Sequence, residues 1–180
     1  MSNRLRAARS WVLIAAGFAV VLKVADRVPA LIAGTPHGAR VYRTLAEAER
    51  AIGARLWVPA SIPPSVDWPP VRVDAWPGPP TSVVIHAMGR ADAGERMVVA
   101  QSIGSPAAPP ALLLEPLQEL MTVEVPVGRH TAILTRGLAS SGRLLHDLSW
   151  TAGTRRVTIR YAGPVEELLL VAASLERTHS

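Results

Sequence analysis

An α+β domain behind an N-terminal transmembrane helix is the architecture this sequence predicts. Its sheet is antiparallel, of about six to seven strands, with helices packed on one face. Three observations carry this. The run Trp11 to Leu22 holds no charge and follows Arg4, Arg6 and Arg9. From Val71 to Tyr161, stretches of alternating apolar and polar residues are separated by turn-length breaks rather than crossover helices. A capped helix precedes those stretches and a Pro-opened helix follows them.

Twelve helical residues span about 18 Å, and continuing to Ala33 gives about 34 Å, enough for a hydrocarbon core of about 30 Å. Lys23, Asp26 and Arg27 share one helix face beyond its middle, where Lys23 and Arg27 can snorkel and Asp26 can pair with Lys23. The anchor residues are therefore Trp11, Leu13, Phe18, Leu22, Lys23 and Arg27. A cleavable signal peptide has the same basic start, but charges occupy the place of a small-x-small cleavage site. A buried soluble helix would not need the basic entry or Trp11 at the interface. Basic residues are nearly balanced across the segment. Their concentration before it favours a cytoplasmic N-terminus. The expected division is a cytoplasmic stub and anchor over 1–33, a linker over 34–43, and an extracytoplasmic domain over 44–177.

Within that domain Thr44-Leu-Ala-Glu47 reads as a capping box opening a helix to Ala54. Next come eight prolines between Pro59 and Pro80, together with Trp57, Trp68 and Trp76. Such a tract is an extended, partly polyproline path, interrupted by a strand at Val71–Trp76. Strands are expected at Ser82–Met88 and Met97–Ser102. A helix beginning near Glu115 is expected within Ala111–Met121, on the spacing of its leucines. Further strands follow at Thr122–Val127, Thr131–Thr135, Arg143–Trp150 and Arg155–Tyr161, the groups 71–102 and 122–161 forming halves of one sheet. Pro164 opens the last helix, with Glu166 and Glu167 in its first turn and Leu168, Leu169, Val171, Ala172 and Leu175 on its apolar side.

The 180 residues carry a net charge of +5, with eighteen Arg to one Lys and no cysteine. Disulfides and thiolate metal sites are thereby excluded. A basic chain suits anionic partners, but the arginines are scattered. Arg155, Arg156 and Arg160 lack an aromatic stacking platform, so nucleic acid is not an expected partner. Ser140 or Ser141 with His146 and Asp147 could supply a triad. However, no G-x-S-x-G elbow accompanies them, and adjacent strand residues point to opposite faces. His37, His86, His130, His146 and His179 are isolated, so no metal or other cofactor is expected, and no phosphate loop indicates a small-molecule substrate. The best functional surface is the tract itself: Trp57, Trp68, Trp76, Pro69 and Pro70. Rigid extended backbone loses little entropy on docking, and Trp is a favoured anchor. The alternative is that these tryptophans close the core beneath a long loop.

Two stretches, Thr44-Leu-Ala-Glu-Ala-Glu and Leu56-Trp-Val-Pro-Ala-Ser-Ile-Pro-Pro, resemble the opening of an extracytoplasmic domain. That domain lies behind a single membrane helix in bacterial anti-sigma-factor-like and sporulation-associated proteins. Leu148-Ser-Trp150, Val157-Thr-Ile-Arg-Tyr161 and Val165 to Leu175 resemble its final hairpin and helix. The resemblance spans 44–176 and implies a non-catalytic sensory or protein-interaction domain. Only about ten residues precede the anchor, too few for a sigma-sequestering domain.

These observations favour a non-enzymatic, single-pass accessory or scaffolding subunit of the bacterial inner membrane. Its partners would be the lipid bilayer and an integral membrane protein complex, respiratory or photosynthetic. An envelope sensor is the alternative, and a lipid-handling or hydrolytic periplasmic domain a second one.

Overall fold

Residues 38–91, 94–105 and 113–179 are described by the computed structural model, with side chains as far as Leu175. The chain divides into two compact units, 1–37 and 38–180. The first lies outside the described residues, and with it the whole predicted anchor. Among the described residues no helix is long and apolar enough to cross a membrane.

The second unit is α+β. Its elements are β1 (Arg40–Tyr42), α1 (Leu45–Ile52), β2 (Arg72–Trp76), β3 (Thr81–Met88), β4 (Glu95–Ile103), β5 (Gln118–Val127), β6 (His130–Leu138), β7 (Leu144–Ala152), β8 (Arg155–Tyr161) and α2 (Val165–His179). The eight strands form one sheet in the order β1-β2-β3-β4-β8-β7-β6-β5. Every neighbouring pair is antiparallel. Two meanders, one from each half of the domain, are joined at the centre by β4 against β8. Two-residue loops at Gly128-Arg129 and Gly153-Thr154 close the β5–β6 and β7–β8 hairpins, as the turn signals indicate.

A side-chain period of two gives each strand one apolar face. One register row crosses seven strands as Val73, Ile85, Val99, Ile159, Leu148, Leu134 and Val123. This is the helix-bearing face. Ala48 of α1 and Leu168, Val171, Ala172 and Leu175 of α2 complete the same core. Thr44 caps α1, its Oγ1 accepting from the Glu47 N–H at 3.2 Å. The Glu47 carboxylate accepts from the Arg43 N–H at 3.2 Å. The return bond of the predicted capping box therefore falls one residue earlier.

Two expectations change. The sheet has eight strands rather than six or seven. The added strand is β1, three residues long and within the stretch read as linker. No α-helix occupies the described part of Ala111–Met121: Leu113 has a 3₁₀ conformation, Gln118 opens β5, and Leu113 and Leu114 pack on Val84, Val98 and Ala100. Leucine spacing alone does not separate a helix from an apolar segment lying on a sheet. Pairing with β6 decides it. β4 and β5 run in the same direction and are separated by β8, β7 and β6, and the described part of the connection between them, from Leu113 onward, lies on the face opposite the helices.

Candidate interaction surface

The Trp/Pro tract lies against the helix-bearing side of the core. Leu56 and Val66 are fully buried there, and Trp57, Val58, Ile62 and Trp68 pack beside them. Trp57 is held at both backbone groups by Gln101 of β4. Its N–H donates to Gln101 Oε1 at 2.9 Å, and its carbonyl accepts from Gln101 Nε2 at 2.6 Å. Arg155 donates to the same Oε1 at 2.6 Å and to the Arg55 carbonyl at 2.9 Å. Its guanidinium stands 5.0 Å from the Trp57 ring centroid, a cation–π arrangement. Burial lowers the Arg155 pKa from its ordinary value.

Trp76 packs on the opposite face with Val84, Val98 and Ala100. Pro69 is exposed and Pro70 buried. The three tryptophans thus do not form one patch: Trp57 and Trp68 support the helix-bearing core, and Trp76 serves the other face. Further along the tract, the Ser61 N–H donates to Ser174 Oγ of α2 at 3.0 Å. Ser65 Oγ lies 3.0 Å from Tyr161 Oη, which donates to the Glu167 carboxylate. Burial first, and then Glu167, raises the Tyr161 pKa.

The predicted candidates for a triad are not brought together. β7 turns His146 to the helix-bearing face beside Tyr161 and Asp147 to the open face beside Arg160. His146 is buried with Nδ1 unpartnered. Its pKa is lowered by burial, the Gly163 backbone offsetting part of that and Arg136 adding to it.

The open face is polar where the helix-bearing face is apolar. One residue along from the apolar row, the register runs Arg72, His86, Val98, Arg160, Asp147, Thr135 and Thr122. Asp147 takes Arg160 bidentately, Nε and Nη2 each at 2.7 Å. Arg160 Nη1 donates at 2.7 Å to the Glu115 carbonyl, and the Ser140 N–H donates at 3.1 Å to the Glu115 carboxylate. These bonds hold the crossing connection down. At the other end, Arg72 binds both Asp74 oxygens, at 2.7 and 2.6 Å, which raises the Arg72 pKa. His86 stands between carboxylates: Nδ1 bonds Glu95 and Nε2 lies 3.4 Å from Asp74 without hydrogen-bond alignment. With Arg72 on Asp74, no group of three His, Cys, Asp or Glu among the described residues is placed to hold a metal.

The surface that sequence reasoning missed is β5. It is ten residues long and pairs with β6 alone among the described residues. Leu120, Met121 and Val123 on it are 54, 44 and 39 % exposed. By register Met121, Val123 and Val125 belong to the helix-bearing face, and Glu119, Thr122 and Glu124 to the open face. The alternation was readable in Thr122–Val127. That this strand forms an edge was not, because edge position depends on which distant strands pair. Native sheets usually blunt edges with short strands or charged and Pro residues. Here Pro126 and two glutamates are present, yet the apolar side chains remain open. Compared with known proteins, the chain matches no family model, no curated relative and no solved structure.

Proposed function

We propose that this chain is a non-catalytic accessory or scaffolding subunit, held in the bacterial inner membrane by the helix around Trp11–Leu22. Its N-terminus is cytoplasmic, and its α+β domain stands outside the cytoplasm against a larger integral membrane protein complex. The observation that carries this reading is the long, apolar β5 edge, paired with β6 alone among the described residues. A ten-residue strand with exposed Leu120, Met121 and Val123 offers both backbone ladder groups and apolar area to another protein. The basic flank and uncharged run of residues 4–22 support membrane placement.

Two measurements test it. Removing residues 1–34 is expected to release the domain from membranes; persistence through high salt and alkaline pH would sink the anchor. Mild-detergent extraction followed by size fractionation should show co-migration with a large integral complex at fixed stoichiometry. Migration as a lone detergent-solvated chain would overturn the accessory role in favour of an independent envelope sensor.

A further inference from the structure

The exposed half of the β5 backbone can be read from its hairpin. Val127 and His130 flank a two-residue loop, so they exchange the first pair of ladder hydrogen bonds. Counting back, Val125 and Val123 bond β6, while Pro126, Glu124 and Thr122 turn their backbone groups outward. Pro126 thus costs the β5–β6 ladder nothing, and Glu124 and Thr122 present N–H and C=O groups that no described strand takes up. The register shift between Glu119 and Met121 accommodates one extra residue. Glu119 and Glu124 therefore stand four ladder positions apart on the open-face side, with Thr122 between them. Met121 and Val123 fill the intervening positions on the helix-bearing side.

The chemistry of the two sides differs. Among the described residues neither Glu119 nor Glu124 has a cation within ion-pairing distance, although the chain as a whole carries +5. Across the strand, the apolar row of the core ends in Val123, 39 % exposed. A strand added here would continue an apolar row on one side and meet two carboxylates on the other, Glu119 accepting only from Thr122 Oγ1 at 3.5 Å among the described residues.

We propose that β5 receives an extended protein segment reading basic, apolar, any residue, apolar, basic. Its backbone pairs with Thr122 and Glu124, its basic residues lie across from Glu119 and Glu124, and its apolar residues continue the Met121 and Val123 rows. This deepens the accessory-subunit reading and rests on it for the identity of the carrier. A second copy is the poorer occupant. Antiparallel pairing of β5 with itself gathers four carboxylates on one face of the seam, and β5 contains no basic residue to offset them.

The test uses the full chain in detergent micelles and two fluorescent heptapeptides, one alternating arginine with valine and one alternating glutamate with valine. Fluorescence anisotropy should show saturable binding of the arginine peptide, and about tenfold weaker binding of the glutamate peptide. The double variant Glu119→Lys, Glu124→Lys changes two exposed side chains and should invert that preference, with circular dichroism unchanged. Equal binding of both peptides, binding of neither, or an unaltered preference in the variant would each overturn the proposal. A homodimer cross-linked through β5 that excludes the peptide would overturn it in favour of self-association. The two readings fail separately: a complex retained at full stoichiometry by the charge-reversed variant sinks the docking edge alone. Absence of any complex in the unaltered chain, with peptide preference intact, sinks the accessory role alone.

Discussion

Gln101 lies in the middle of β4, fully buried, with its amide bridging both backbone groups of Trp57 and one nitrogen of Arg155. Truncating it leaves those groups without partners inside the core, where an unmade hydrogen bond costs more than a made one contributes. Gln101→Ala is expected to cost about 2–4 kcal/mol in urea unfolding. The tryptophan emission of the folded variant should shift red as Trp57 loosens. His146 gives the domain a pH response of defined sign. Its pKa is lowered mainly by burial, so below the unfolded value of about 6.5 the unfolded chain takes up a proton that the folded chain refuses. Stability is therefore present above that pH and lost as pH falls through the folded pKa. Thermal melts from about pH 7.5 to 5 should show a decline that is shallower in His146→Leu. Tyr161 acts at the other end: its raised pKa keeps the phenol protonated when folded, so stability is lost as pH rises above about 10.

Among the elements, β5 depends on a glycine in its neighbour. A Cβ on Gly137 of β6 would lie 2.8 Å from both the Gln118 carbonyl oxygen and Leu117 Cβ. The crowding atoms include backbone, so the first residues of β5 must move if any side chain is present. Gly137→Ala should destabilise the domain by about 1–3 kcal/mol, the range for overpacked sites. Hydrogen exchange should localise the change, with protection falling around Gln118–Met121 before Val125–Val127. The same element shows where reading a sequence stops. The hairpins at Gly128 and Gly153 were legible because turn residues and flanking alternation are local. Ala111 to Met121 was not: its apolar spacing suits a helix as well as a sheet-packed segment, and Leu113 and Leu114 pack on Val84 and Val98. Nor was β1, whose three residues carry no periodicity. Trp57 stood out in the sequence, but its partners Gln101 and Arg155 lie 44 and 98 residues away, beyond any local pattern.

Across the whole domain, two separately legible meanders become one sheet through contacts that no local signal announces. The antiparallel sheet and the opposed orientation of His146 and Asp147 followed from period-two alternation with turn-length breaks, and the α+β class from these together with the capped helix before them and the Pro-opened helix after. The candidate edge did not, because it exists only once β8 has taken the place beside β4 and left β5 outermost. The Asp147–Arg160 pair belongs to this level as well. It ties β7 to β8, and through the Glu115 carbonyl it ties both to the segment that crosses between the meanders. The β4–β8 seam also has a temporal consequence. Gln101 and its partner Val157 are adjacent in the sheet but 56 residues apart in the chain. At ribosomal rates of about 5–20 residues per second, the first meander waits roughly 3–11 seconds for β8 to be made. During that interval β4 is itself an exposed edge, bearing Val98, Val99 and Ala100 that the finished fold buries. The growing chain thus carries for several seconds a sticky border at its future centre, and aggregation during biosynthesis is the hazard this topology has to outrun.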